Sequence, residues 1–392
     1  MTTKKKKKKD FKHWVGKAHL WLGLSSGLIV LLLGITGCIY VFSVEITAWL
    51  RHDEMYVQEV KQEKLPMSFL WEQTQKTVGE GKKITGGRVY NDPEKAAVFT
   101  CYKAGNQDAV LYFDSIDQYY NIYTDPYTGK VLGMYDEELD FFNIIKMLHW
   151  SLLLNAPIGQ QIIGWGTFIF VIMLITGIIL WWPKNKAARK QRLWFQWKDT
   201  TKWRRKNYDL HNIFGFYVAT IALIVAFTGM VWAFTWFQSL VYVAGSLSIT
   251  PPEQLVSQSK IIKTGKKDAA FDKALLAAMK KHSDAAGFSI SKPADSIAPI
   301  DVYVGQYPDV YYVSHQMQFD QYTGAFLAER THDDKNFGEK LITANYDIHV
   351  GAILGFPGKI LAFIASFISA MLPLTGFIIW YGRTFKKTVA KA

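Results

Sequence analysis

Four stretches of this 392-residue chain are apolar enough and long enough to cross a bilayer, and that removes most of the folds open to a chain of its length. They cover residues 20–44, 159–182, 213–237 and 360–380. Each holds roughly 20 or more mostly apolar residues, the length needed to span about 30 Å of hydrocarbon. The chain is therefore read as an integral membrane protein, with the lipid bilayer as its first partner.

Charge gives the expected orientation. The tail up to Lys17, the loop 183–209 and the C-terminus after Tyr381 together hold 22 Lys and Arg against 3 Asp and Glu. The long intervening segments, 45–158 and 238–358, hold 11 basic against 17 acidic residues and 11 against 13. The positive-inside rule places both termini and the short loop in the cytoplasm and the two long segments outside. The first span is too long for a signal-peptide core and no small-residue cleavage site follows it, so it is expected to stay as an anchor. The Lys4–Lys9 run reads as a tail that holds topology and touches anionic lipid, with no nucleic acid as partner. Of the two cysteines, Cys38 lies in a span and Cys101 outside, so they do not pair. With no C-x-x-C-H motif, covalent haem attachment is excluded.

The chain repeats itself. "HLWLGL" at 19 returns as "HNIFGF" at 211, and "TGCIYVF" at 36 as "TGMVWAF" at 228. His149 and Pro157 recur as His349 and Pro357, and "LITGIILWW" as "PLTGFIIWY". The long segments share "DPYTGKVLG" and "DQYTGAFLA". Each half is thus span, external domain, span in the same orientation, a parallel repeat about an axis along the membrane normal. In the external segments "AAVFTCYK", "DAVLYFDSI" and "QYYNIYTDPYTGKVLG" read as antiparallel strands, and "MSFLWEQTQKTV" and "FDKALLAAMKKHS" as helices. The expected architecture is an all-α transmembrane four-helix bundle carrying two α+β extracytoplasmic domains. Its order is basic tail 1–17, first span 18–44, external domain 45–145, interfacial helix plus second span 146–182 and basic loop 183–209. Third span 210–237, second external domain 238–336, interfacial helix plus fourth span 337–380 and tail 381–392 follow.

Four of the nine histidines occupy repeat-equivalent positions, and ionisable groups at membrane depth are functional hypotheses by default. His19 and His211 open spans that enter from the cytoplasm; His149 and His349 precede spans that enter from outside. Two imidazoles at one depth on symmetry-related helices can meet at the bundle axis, and the chemistry that needs two axial imidazoles in an apolar bundle is low-spin haem ligation. Two haem b groups are expected, with iron held by His19 and His211 and by His149 and His349. Small residues leave room for a macrocycle: Gly23 and Gly215 one turn after a histidine, and Gly37, Gly177, Gly229 and Gly376 in Thr-Gly pairs that reach the depth of the other pair. The competing explanation of such glycines is helix packing. His13 is a weaker substitute ligand, and His52, His282, His315 and His332 lack repeat partners. From His149 to Gly177 a continuous helix would run about 42 Å, so "NAPIG" and "GFPGK" are expected to break it and leave the outer histidines on short interfacial helices. Lys12, Lys17, Arg204, Arg205 and Lys146 are candidate partners of acidic propionates, Trp150 and Trp165 candidate packing groups of the outer haem. In "NYDLH" (207–211) and "NYDIH" (345–349), Asn and Asp suit a helix N-terminus, and Asp209 and Asp347 either cap the helix or orient the imidazole.

These residues resemble the PepSY-associated transmembrane helix proteins, also called iron-regulated membrane proteins. "HLWLGL" with "GITG", "LHWSLLL" with "LITGIILWWPK", "YDLHNIFGF" with "FTG" and "DIHVGAILGFPGK" with "LTGFIIWY" carry the resemblance over nearly the whole chain. "YTDPYTGKVLG" is similar to the terminal motif of the PepSY domain, and "FDQYTGAFLA" is a weaker version without the Pro. The resemblance implies PepSY-like external domains and a siderophore-iron reductase: a b-type dihaem protein that reduces a ferric siderophore or other iron chelate at the periplasmic face. No nicotinamide, flavin or nucleotide motif is present, so the electron donor is external, cytoplasmic or a quinol. No separate catalytic side chain is expected. The alternatives are a non-catalytic membrane-anchored PepSY module that binds peptides or restrains a protease, and a siderophore or iron permease.

Overall fold

The computed structural model describes residues 10–183, 185–262 and 267–385. The Lys4–Lys9 run and residues 386–392 of the C-terminal tail lie outside the described residues. Asp10 starts helix α1 (Phe11–Tyr40) by accepting the His13 amide on its side chain, and the helix then crosses without interruption. A short helix α2 (Ser43–Leu50) leads into the first sheet-bearing unit: helix α3 (Met67–Val78) and strands β1 (Ile84–Tyr90), β2 (Ala97–Ala104), β3 (Ile116–Thr124) and β4 (Val131–Asp136). Helix α4 (Phe141–Ser151) returns the chain to the bundle, and α5 (Ala156–Trp181) crosses back. After the connecting helix α6 (Lys186–Leu193) the order repeats, beginning with α7 (Trp203–Ala233), α8 (Thr235–Ser246) and α9 (Lys267–Lys281). Strands β5 (Gly287–Ile290), β6 (Ile300–Tyr307), β7 (Val310–Phe319) and β8 (Phe326–Arg330) follow, then α10 (Phe337–Thr343), α11 (Asn345–His349) and α12 (Gly355–Thr384). Four helices are long and apolar enough to cross a membrane: α1, α5, α7, and α12 with the 3₁₀ turn before it.

The strands correct the expected fold class. The protein is not an all-α bundle with two separate external domains, because the eight strands form one antiparallel sheet in the order β4-β3-β2-β1-β5-β6-β7-β8. The two four-stranded halves join through β1 and β5, with Val89 opposite Phe288 and Arg88 opposite Ser289. The physical reason is an edge: separate units would each leave the inner strand's N–H and C=O groups unpaired, and the internal repeat offers each edge a matching partner. One core results. Trp71 of α3 and Phe271 of α9 meet edge to face at 5.7 Å, and Phe99, Phe288 and Phe319 are fully buried beneath the two helices. "DAVLYFDSI", read as a strand, instead contains a single helical turn, Tyr112–Ser115, with strand structure starting at Ile116.

The bundle closes by backbone contact. At Gly34 of α1 a Cβ would lie 2.7 Å from the Ala370 methyl and from the Ser366 carbonyl of α12, so only glycine permits that crossing. The reversals between α4 and α5 and between α11 and α12 use the same device. Leu152 and Leu153 adopt φ of 59° and 58°, and Ser151 then lies against Gly159, whose Cβ would come within 2.0 Å of the Ser151 carbonyl. In the second half Gly351 and Gly358 make the equivalent contact, each leaving no room for a Cβ on the other. The breaks fall just before "NAPIG" and "GFPGK", so Pro157 sits in the first turn of α5, where its missing N–H costs nothing.

Because both halves share one core, Phe288→Ala should destabilise the whole sheet by about 3–5 kcal/mol. Thermal unfolding in detergent followed by near-UV circular dichroism should show one transition moved to lower temperature. Two separate transitions, with only one of them moved, would contradict the shared core.

Candidate functional site

Four imidazoles meet in two pairs. The rings of His19 on α1 and His211 on α7 lie 6.4 Å apart, centre to centre, at 86° to one another. Those of His149 on α4 and His349 on α11 lie 6.1 Å apart at 77°. From His19 to Thr36, which touches the second pair, α1 climbs about 25 Å at 1.5 Å per residue, so the pairs occupy opposite ends of the bundle.

Each imidazole is held in the same way. His19 Nδ1 lies 2.9 Å from Thr176 Oγ1, His149 Nδ1 2.8 Å from Thr36, His211 Nδ1 2.9 Å from Thr375 and His349 Nδ1 2.8 Å from Thr228. The partner always comes from another helix. Each hydroxyl also donates to a carbonyl of its own helix one turn back: Thr36 to Leu32 at 2.7 Å, Thr176 to Ile172 at 2.7 Å, Thr228 to Val225 at 2.8 Å and Thr375 to Met371 at 3.0 Å. A hydroxyl has one proton to give, so the threonine accepts from the ring, and Nδ1 carries the hydrogen. The Val225 carbonyl, three residues before Thr228, also lies 3.1 Å from His349 Nδ1, and the backbone of Leu33, Met173 and Leu372 stands in the same place beside His149, His19 and His211. The four rings are thereby fixed as the tautomer whose Nε2 has a free lone pair.

The Thr-Gly pairs explain the approach. A Cβ on Gly177 would stand 3.4 Å from His19 Cε1, on Gly376 3.3 Å from His211, on Gly37 3.6 Å from His149 and on Gly229 3.7 Å from His349. Threonine therefore holds the ring while the next residue leaves the ring's edge uncovered. Gly23 and Gly215 are placed differently, against the side chains of Met173 and Leu372 of neighbouring helices. Around His149 and His349 the bundle encloses a cavity of about 640 Å³, bounded by Gly37, Gly229, Trp232, Tyr346 and Lys146. That volume falls in the range of cofactor-sized sites, about 300–1,000 Å³.

The two pentapeptides acquire a different meaning from capping. Both lie in or run into helix, and neither Asp meets an imidazole: Asp209 accepts Trp197 Nε1 at 3.1 Å and Arg205 Nε at 2.9 Å, while Asp347 accepts the amides of Tyr311 and Tyr312 at 2.9 and 2.8 Å. The asparagines were missed. Asn207 donates to the carbonyl of Thr375 at 3.0 Å, and Asn345 to the carbonyl of Thr228 at 3.0 Å. Those are the threonines that hold His211 and His349, so Asn-x-x-x-His grips one residue of a facing helix at two points, one helical turn apart. The signal was present as the i, i+4 spacing of Asn and His in both copies.

The remaining candidates scatter. His13 is exposed beside Trp14, and His52 is exposed near Asp53. His282 and His315 stack at 4.5 Å at the sheet, where Glu329 binds His282 and the His332 amide reaches His315. Lys12 donates to the Trp182 carbonyl, Lys17 lies over Trp14, and Arg204 lies near Gly382. Trp150 lines the cavity, whereas Trp165 packs on Phe168 and Phe234.

A family model described as the PepSY-associated TM region matches residues 17–383. No curated protein matches the chain.

If the two-point grip acts as a unit, Thr228→Val and Asn345→Ala should each cost about 1 kcal/mol, and their effects should couple by about 0.5 kcal/mol or more. A double-mutant cycle on unfolding in detergent measures this, and simple additivity would count against the unit.

Proposed function

The chain belongs to the PepSY-associated TM region family, and from that membership and the paired imidazoles we propose that it is an electron-transfer protein of the bacterial inner membrane with two b-type haems. In this reading His19 and His211 hold one haem near the cytoplasmic face and His149 and His349 hold the other near the periplasmic face. Electrons come from a cytoplasmic or quinol donor, and the acceptor is an Fe(III)-siderophore or another ferric chelate outside, reduced by one electron to Fe(II).

One observation carries the reading: four Nδ1–H groups tied to threonines leave four Nε2 lone pairs, on rings that stand in two close pairs. The ring centres lie 6.4 and 6.1 Å apart, a separation at which both rings of a pair could hold one metal atom through bonds of about 2 Å. The apolar cavity at His149 and His349 supports a planar ligand larger than a bare ion, and two imidazoles alone make an incomplete zinc site.

A bound haem would supply reversible one-electron chemistry. The chain's own residues do the rest. The threonines and the carbonyls behind them fix ring tautomer and orientation, as outer hydrogen bonds to metal-binding imidazoles do. Gly37, Gly177, Gly229 and Gly376 keep the ring edges clear. The surrounding Val, Leu, Phe and Ala side chains keep water from the site. Lys146, on α4 at the cavity wall, offers a cation for an acidic substituent; burial lowers its pKa, and Glu137 and Asp140 oppose that shift.

The test is a dithionite-reduced minus oxidised visible spectrum of protein from haem-replete cells. Two haems per chain are expected, with His211→Ala and His349→Ala each removing about half of the signal. Protein without haem bands would sink the proposal, and loss of both haems from one substitution would overturn the assignment of one pair to each end.

A further inference from the structure

A second pocket lies far from the cavity, at the end of the bundle where the basic loop connects α5 to α7. It measures about 160 Å³ and sits between α6 and the first three turns of α7, walled by Gln191, Arg192, Arg205, Tyr208, Asp209 and Asn212. Ile213, also on its wall, begins the apolar run of α7. The pocket is therefore level with the boundary between hydrocarbon and headgroup.

Its construction is rigid. Trp181 at the end of α5 stacks on Phe216 of α7 at 3.5 Å, Tyr217 donates to the Leu193 carbonyl, and Arg192 uses Nη1 on the carbonyls of Leu180 and Trp181. Arg205 binds Asp209 through Nε, and Trp197 donates to the same Asp209 oxygen. Among the described residues, these contacts leave Nε and Nη2 of Arg192 and both terminal nitrogens of Arg205 without a hydrogen bond or ion pair, next to a polar hollow. Both contacts to Asp209 fall on Oδ2, so its Oδ1 also faces the hollow, and two guanidinium groups outnumber that one carboxylate beside two amides and the Tyr208 ring. Three tryptophans from the same loop, Trp182, Trp194 and Trp203, are between 61% and 71% exposed, as anchors at the headgroup level are.

We propose that this pocket binds a phosphate group, carried by an anionic phospholipid whose chains lie along α7. Guanidinium suits phosphate because its planar fork gives two parallel donors. Basic pockets between spanning helices are a recurrent headgroup site. The pocket's depth, the exposed tryptophans and the apolar wall beginning at Ile213 favour a lipid over a free anion as the source. This site is independent of the histidine pairs and of any haem.

The test uses the full-length protein in nanodiscs of phosphatidylcholine containing a small share of headgroup-proximal spin-labelled phosphatidylglycerol. An immobilised component should appear in the electron paramagnetic resonance spectrum, in excess of that seen with equally labelled phosphatidylcholine. Gln191→Glu, which replaces an amide of the wall by a negative charge, should reduce it at least threefold, as should Arg205→Gln. Lys186→Gln, which removes an exposed charge of the same loop outside the pocket, should leave it unchanged. Should lipid not be immobilised while inorganic phosphate binds to wild type in calorimetry and not to Gln191→Glu, the phosphate site stands and its lipid source is overturned. Binding of neither, or equal loss in Lys186→Gln and Gln191→Glu, would overturn the site itself. Unchanged thermal unfolding of Gln191→Glu separates a lost site from a lost fold.

Discussion

The proton of a threonine hydroxyl is given to its own helix in four places, and the rest of the site depends on that. Thr36, Thr176, Thr228 and Thr375 each donate one turn back, so each has only lone pairs to offer a neighbouring helix. The imidazole that meets it has to present N–H. This selects the tautomer without any charge, in surroundings where a carboxylate in the same position would carry a large desolvation cost. It also explains why threonine is followed by glycine: the ring held by one residue needs the next residue to be small.

The repeat turns that local rule into symmetry. Two copies of span, sheet unit and span place four such contacts at two levels, and both levels are crossed by the same helices. The sheet-bearing part obeys a different constraint, the pairing of strand edges. The strand order reads the same from either end, and its centre is the β1–β5 seam. The two constraints act on one chain because α1 and α7 each emerge beside the sheet unit that follows them.

Much of this was legible. Spans show as apolar runs, the repeat as returning letters, and the meeting of His19 with His211 as a consequence of equal depth. What stayed hidden has physical causes. Alternation identifies a strand but not its partner, so the edge that joins β1 to β5 could not be seen in either half alone. Asn207, Asn345, Asp209 and Asp347 are residue types that favour helix starts, and a preference of that kind reveals neither the facing helix that the asparagines grip nor the loop and strand that the aspartates meet. The single turn at Tyr112–Ser115 lies in a stretch rich in strand-forming residues, and the Leu111 bridge to Leu154 shows that its place is set by the α4–α5 reversal. The basic loop, accounted for by topology alone, contains a shaped pocket because α6 folds back on α7.

Asp347 is one of the places where the two halves differ. Its position in the first half is taken by Met147, which has no carboxylate to offer. Buried and two residues before His349, Asp347 takes both amides that open β7 on one oxygen, and burial holds its pKa above the ordinary carboxylate range while those amides oppose the shift. The sheet is thus tied to the His349 helix through backbone amides of β7, whereas the His149 helix is tied through Asn143 Nδ2 to the Tyr112 hydroxyl at 2.7 Å. Twin halves of a duplicated chain have in this way come to hold their histidine helices by different chemistry, a carboxylate gathering backbone amides on one side and a side-chain amide reaching a phenol on the other.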